Sequence, residues 1–146
     1  MTKEEIIAME YKILKTLQFS VTFPSTLRFL ERFARLAQMN EKQLLLAQYF
    51  TDTSLLDCRL VKEKPSRVAA VSLYASLSIF KGEESNIWSS TLTKHTSYRE
   101  CDVKLMSKDL LQFVKKIEKS QLKTMHKKYN DARFAEVAKL LENVQF

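Results

Sequence analysis

The chain has 146 residues, 45% hydrophobic and 28% charged, which suits one globular domain that buries roughly 70% of its unfolded surface. One glycine (Gly82) and two prolines (Pro24, Pro65) are too few for the tight turns of an all-β or α/β fold, and they exclude glycine-rich phosphate loops. Twenty-four basic residues against seventeen acidic ones leave a net charge of +7, so anionic partners enter the field of candidates.

Seven helical segments follow in chain order. The first spans about Thr2 to Leu17, with Ile6, Ile13, Leu14 and Leu17 on one stripe at helical spacing. Glu10 falls on that same stripe, and an acid amid apolar side chains must be paired or face a partner. Residues 18–23 alternate Phe19, Val21 and Phe23 and read as an extended connector. Pro24 is expected in the first turn of a second helix reaching Gln38, which buries Leu27, Leu30, Phe33 and Ala37. Asn40 and Gln43 form a capping box that opens a third helix carrying Leu44, Leu45, Ala47, Tyr49, Phe50 and Leu56.

Pro65 opens the fourth helix, PSRVAAVSLYASLSIF, which has no charge between Arg67 and Lys81. Its small residues (Ala69, Ala70, Ser72, Ala75, Ser76, Ser78) let neighbours approach closely on all sides, so it is expected at the centre of the domain. Gly82 ends it, and Glu83-Glu84 read as loop. A short fifth helix covers about Ile87 to Lys94, anchored by Trp88 and Leu92. Ser97 and Glu100 suggest a second capping box before a long sixth helix, Tyr98 to Ser120. The seventh is expected over about Asn130 to Glu142, with Phe134, Val137, Ala138 and Leu141 as its stripe.

Catalytic chemistry finds no support in the residues. His95 and His126 have no ligand at metal spacing and read as surface or capping histidines. No GxSxG is present. Cys58 and Cys101 form no CxxC, which fits a reduced intracellular compartment better than a disulfide scaffold. The acidic N-terminus does not read as a signal peptide, and the charge-free run Val68 to Phe80 is too short for a bilayer. The lysines at 115, 116, 119, 123, 127 and 128 read as a solvated face, with nucleic acid, an anionic membrane surface or an acidic protein as the alternatives.

The residues also resemble a known family, over essentially the whole chain and in order. MEYKILKTLQFSVTFPSTLRFLERF is similar to the junction between the two cyclin boxes of A/B-type mitotic cyclins. LAQYFTDTSLLD, PSRVAAVSLYAS, WSSTLTKHTSYRECDV and KKYNDARFAEVA resemble that family's later motifs. The resemblance implies an all-α cyclin fold. It would be a five-helix bundle around a central helix at about 65–80, with an extra N-terminal helix and a C-terminal helix. Residues 1–22 would be the last helix of the N-terminal box and its connector, and residues 23–146 the C-terminal box with a helical extension. The first four helices of the N-terminal box, with the family's kinase-contacting lysine and substrate-docking patch, would then lie outside this chain. Departures are Cys58 where the family has a tyrosine, Asp52-Thr53 where it has glutamate–leucine, and the lack of any RxxL.

The implied role is a regulatory or scaffolding subunit of a cyclin-dependent protein kinase, without cofactor or catalysis of its own, in nucleus or cytoplasm. Glu10, Leu14, Phe19 and Val21 match the family's kinase-contacting positions. The competing reading makes Leu14 and Phe19 core and pairs Glu10 with a lysine of this chain. A basic cyclin fold is also used by transcription factors of the TFIIB kind, so a nucleic-acid-binding module is the alternative class. An exposed first helix also offers a face for a homodimer.

Overall fold

The computed structural model describes residues 2–82, 86–120 and 122–141. Its helices are α1 (Lys3–Thr16), α2 (Thr26–Leu36), α3 (Glu41–Ser54), α4 (Pro65–Lys81), α5 (Ser90–Thr96), α6 (Glu100–Glu118) and α7 (Thr124–Tyr129). Short 3-10 turns lie at Leu60–Lys62, Ala132–Phe134 and Val137–Leu141. There is no strand among the described residues.

α4 is the axis of the bundle. Proline at its first turn needs no N–H partner and presets φ, so the helix starts at Pro65. Every residue from Val68 to Leu77 is buried, because α2, α3 and α6 all pack on α4. The alanines and serines let those backbones close in, while Leu73, Leu77, Val71 and Tyr74 fill the gaps. Two part-buried polar contacts fix its registration. Ser76 Oγ donates to the Gln43 carbonyl at 2.7 Å, and Ser66 Oγ meets Tyr98 Oη at 2.9 Å. Trp88 packs its ring near Tyr74 and donates Nε1–H to the Tyr98 carbonyl at 3.1 Å.

Local chemistry sets the helix ends. The Asn40–Gln43 capping box forms as expected, with both reciprocal bonds at 2.9 Å, and Gly82 closes α4 at φ +78°. Glu83 and Glu84 lie outside the described residues. A further capping box joins Thr2 and Glu5 at the start of α1.

Four local expectations change. Pro24 lies two residues before α2, in extended backbone, and Ser25 is the N-cap. The connector is not extended throughout, since Gln18 and Phe19 both take positive φ. Ser97 does not open α6. It is the left-handed cap of α5 at φ +63°, and Arg99 is the N-cap of α6, with no side-chain capping bond. The expected helix over 130–142 does not form: α7 ends at Tyr129, and two 3-10 turns, Ala132–Phe134 and Val137–Leu141, follow it. Asp131 explains the break: its carboxylate accepts from the Arg133 backbone N–H at 2.9 Å, an Asx-type turn that competes with a helix. Ala135 and Glu136 then reverse the chain at positive φ. The apolar residues Val137, Ala138 and Leu141 are still buried.

Candidate partner-binding surface

α1 is amphipathic only in part. Ile6, Ile13, Leu17, Glu10 and Leu14 share one side, and Met9, Ile7 and Tyr11 widen it, at 100° per residue. Lys12, Lys15 and Ala8 occupy the other side. No residue of α1 is buried. Ile6, Ile7, Met9, Tyr11 and Ile13 are each about half exposed or more. An apolar face of this width ordinarily lies against another element, and soluble surfaces rarely keep so much contiguous apolar area open.

The helix end gathers the four residues singled out from the sequence. Phe19 N–H donates to the Leu14 carbonyl at 2.9 Å, and Gln18 N–H donates to the Lys15 carbonyl at 3.1 Å. This pair of bonds is a Schellman motif, with Gln18 in the left-handed position usually held by glycine. The motif sets the Phe19 and Leu14 side chains on the same side of the turn. Leu14 is the one half-buried residue of α1. Val21 N–H then donates to the Phe19 carbonyl at 3.0 Å, which fixes the next exposed apolar residue. Glu10 stands one turn before Leu14 in a shallow groove with Ile6, Met9 and Ile13.

Glu10, Leu14, Phe19 and Val21 therefore follow one another as a strip along α1 and its connector. Phe19 is 61% exposed and Val21 50%. Glu10 is exposed and has no ion-pair partner among the described residues. A carboxylate set among Ile6, Met9, Ile13 and Leu14 is suited to a charged contact sealed by apolar ones. Met9, Ile7 and Tyr11 widen the apolar face of α1, and Phe23 in the connector is 73% exposed. The sequence carried a signal for them, since the apolar positions of α1 are too widely spread for a single narrow stripe.

The remaining polar sites are structural. Lys128 Nζ lies 2.8 Å from Asp52 Oδ2, which also accepts from Tyr129 Oη at 2.9 Å. The ammonium sits over the Tyr129 and Phe134 rings. Burial first, and then Asp52, push the Tyr129 phenol above its ordinary value. This part of the lysine cluster clamps α7 to α3, whereas Lys116, Lys119, Lys123 and Lys127 are exposed. His126 is not a free surface residue: it is half-buried, with Nδ1 3.5 Å from Tyr49 Oη and 3.6 Å from Glu118 Oε1. His95 is exposed in the last turn of α5. Both cysteines are free and exposed. Among the described residues no helix is long and apolar enough to cross a membrane.

The family model "Cyclin, C-terminal domain" matches residues 24–143. G2/mitotic-specific cyclin-B of Spisula solidissima is 35% identical over 139 residues, covering 95% of this chain and 32% of that protein. G2/mitotic-specific cyclin-B of Dictyostelium discoideum is 33% identical over 137 residues, covering 94% of this chain and 31% of that protein. Cyclin-A1-4 of Oryza sativa subsp. japonica is 36% identical over 143 residues, covering 94% of this chain and 40% of that protein. The chain spans about a third of the length of these relatives.

Proposed function

The chain belongs to the cyclin family, and from that we propose that it binds a cyclin-dependent protein kinase as a regulatory subunit in mitotic cell-cycle control. In this reading it carries no catalysis and needs no cofactor. It acts wherever the kinase is, in the nucleus or the cytoplasm. Residues 1–22 serve as the closing helix of a preceding cyclin box and its connector, and residues 23–146 as the C-terminal box. The relatives named as mitotic cyclins support the cell-cycle setting.

One observation carries the proposal: the strip Glu10–Leu14–Phe19–Val21, with the Schellman turn between Leu14 and Phe19, on a helix that has no buried residue. An exposed aromatic and two aliphatic side chains around one carboxylate have the composition of an interface centre. One helix and a connector supply only part of a standard interface of roughly 1,200–2,000 Å², so moderate affinity is expected for this chain alone. The TFIIB-like reading has less behind it, because the relatives found are A- and B-type cyclins and the lysine at 128 is engaged internally.

The test is a titration of this chain against a cyclin-dependent kinase with an exposed C-helix, following both binding and phosphorylation of a substrate peptide. Saturable binding, with or without a rise in activity, supports the proposal. No binding at any attainable concentration overturns it for this chain. Sedimentation of the chain alone examines the homodimer. A dimer through α1 that yields to the kinase supports the same surface, and one that excludes the kinase overturns the kinase assignment.

A further inference from the structure

The outer face of α2 carries Arg28, Arg32 and Arg35. At 100° per residue they fall within an arc of about 60°, and at 1.5 Å per residue they span about 10 Å along the axis. Leu30, Phe33 and Ala34 on the opposite side are buried in the core, so the row stands on a fixed helix. All three arginines are exposed. With Glu31 and Leu36 they line a shallow depression.

What sets this row apart is the pairing of the other arginines. The chain has seven. Arg59 holds Asp57 at 2.9 Å, Arg67 holds Glu63 at 3.3 Å, Arg99 holds Asp102 at 3.0 Å and Arg133 holds Asp131 at 3.1 Å. Arg28 reaches Glu31 at 3.2 Å. Arg32 and Arg35 alone have no carboxylate partner among the described residues, and they are neighbours on one line. A guanidinium is weakly hydrated and presents a planar fork to a carboxylate, so two adjacent free ones favour carboxylate capture more than lysines do.

We propose that the Arg28–Arg32–Arg35 row of α2 docks an extended acidic segment of a partner protein. Alternate residues of an extended chain lie about 6.6 Å apart on one side, against rises of about 6 Å from Arg28 to Arg32 and about 4.5 Å from Arg32 to Arg35, a difference the long arginine side chains can span. Acids at every second position can therefore meet successive guanidiniums. Nucleic acid fits less well. Glu31 interrupts the positive row beside Arg28, and the face carries no aromatic residue on which a base would stack. The surface is independent of the α1 strip and stands whether or not that strip binds a kinase.

The probe is a fluorescent twelve-residue peptide of alternating glutamate and alanine, titrated at low ionic strength against the full chain. The R32A/R35A variant is expected to weaken binding at least about fivefold, as two exposed pairs lost together would, and to flatten its salt dependence. A variant with Lys116, Lys119, Lys123 and Lys127 changed to alanine is expected to stay within about twofold of the wild type. R32E/R35E is expected to lose the acidic peptide and gain a lysine–alanine peptide, a readout that a merely structural role would not produce. Circular dichroism checks that each variant is folded. Unchanged binding in R32A/R35A, an equal loss in the lysine variant, or tighter binding of a single-stranded oligonucleotide through the same arginines would each overturn the proposal.

Discussion

Replacing Phe19 with alanine separates a binding residue from a core residue. A phenylalanine exposes on the order of 200 Å² when free, and Phe19 keeps 61% of its surface open. On the order of 120 Å² is therefore left for a partner to cover, worth about 3 kcal/mol at 25 cal/mol per Å². Ordering the ring and connector offsets part of this, leaving about 2 kcal/mol, or roughly a thirtyfold rise in Kd. Folding stability is expected to change by less than about 0.5 kcal/mol, since Phe19 is exposed. Isothermal titration against the kinase and a thermal unfolding scan measure the two quantities on one preparation. A Kd within twofold of the wild type would refute the assignment of Phe19 to the interface. A fall in Tm of more than about 3 °C would show instead that the ring supports the fold.

Three further outcomes follow from named contacts. Glu10→Gln is expected to leave stability unchanged, because Glu10 is exposed and outside every ion pair of the described residues. It should weaken kinase binding and reduce its salt dependence, and salt curves that match the wild type would remove Glu10 from the interface. Gln38→Gly is expected to stabilise the domain by about 0.5–1 kcal/mol in urea unfolding. Gln38 sits at φ +52° in a second Schellman turn, where Met39 N–H reaches the Ala34 carbonyl at 3.0 Å, and glycine takes that backbone without strain. Asp57 is 5% exposed and held by the Arg59 guanidinium, which keeps its carboxyl below the ordinary aspartate value. A depressed native value adds stability at neutral pH that fades as the pH falls through about 3.9 toward that lower value. Asp57→Asn should therefore lower Tm at neutral pH and bring the variant's curve toward the wild type's in acid. A gap that persists undiminished at low pH would contradict this.

Much of the fold was legible because its signals are local or compositional. The uncharged run through α4 can be stable only with neighbours on every side, so Pro65–Phe80 reads as the axis before any packing is known. The Asn40–Gln43 box needs only a three-residue spacing, and it formed as read. The signals failed where two local preferences compete. Ser97 satisfies the spacing of a capping box and also suits the left-handed end of α5, and the burial of Trp88 and Tyr98 around it goes with the second choice. The stripe Phe134–Val137–Ala138–Leu141 has helical periodicity, yet Asp131 draws the backbone into a turn, and short 3-10 segments bury the same residues.

The four strip residues were placed by resemblance, and periodicity singled out only Glu10 as odd. What joins them is a turn with glutamine in a glycine position, which no residue propensity announces. Composition and spacing determined that this chain is helical, that one helix is central, and that α1 mixes an acid into an apolar face. Only the tertiary structure decided which charges are spent inside the fold and which remain open. Lysine 128 is drawn to Asp52, five arginines hold carboxylates, and Arg32 and Arg35 do not. The physical reason is reach. A side-chain pair forms over a few ångströms: the arginine pairs lie two to four positions apart along the chain, whereas Asp52 and Lys128 are 76 positions apart and only the fold brings them together.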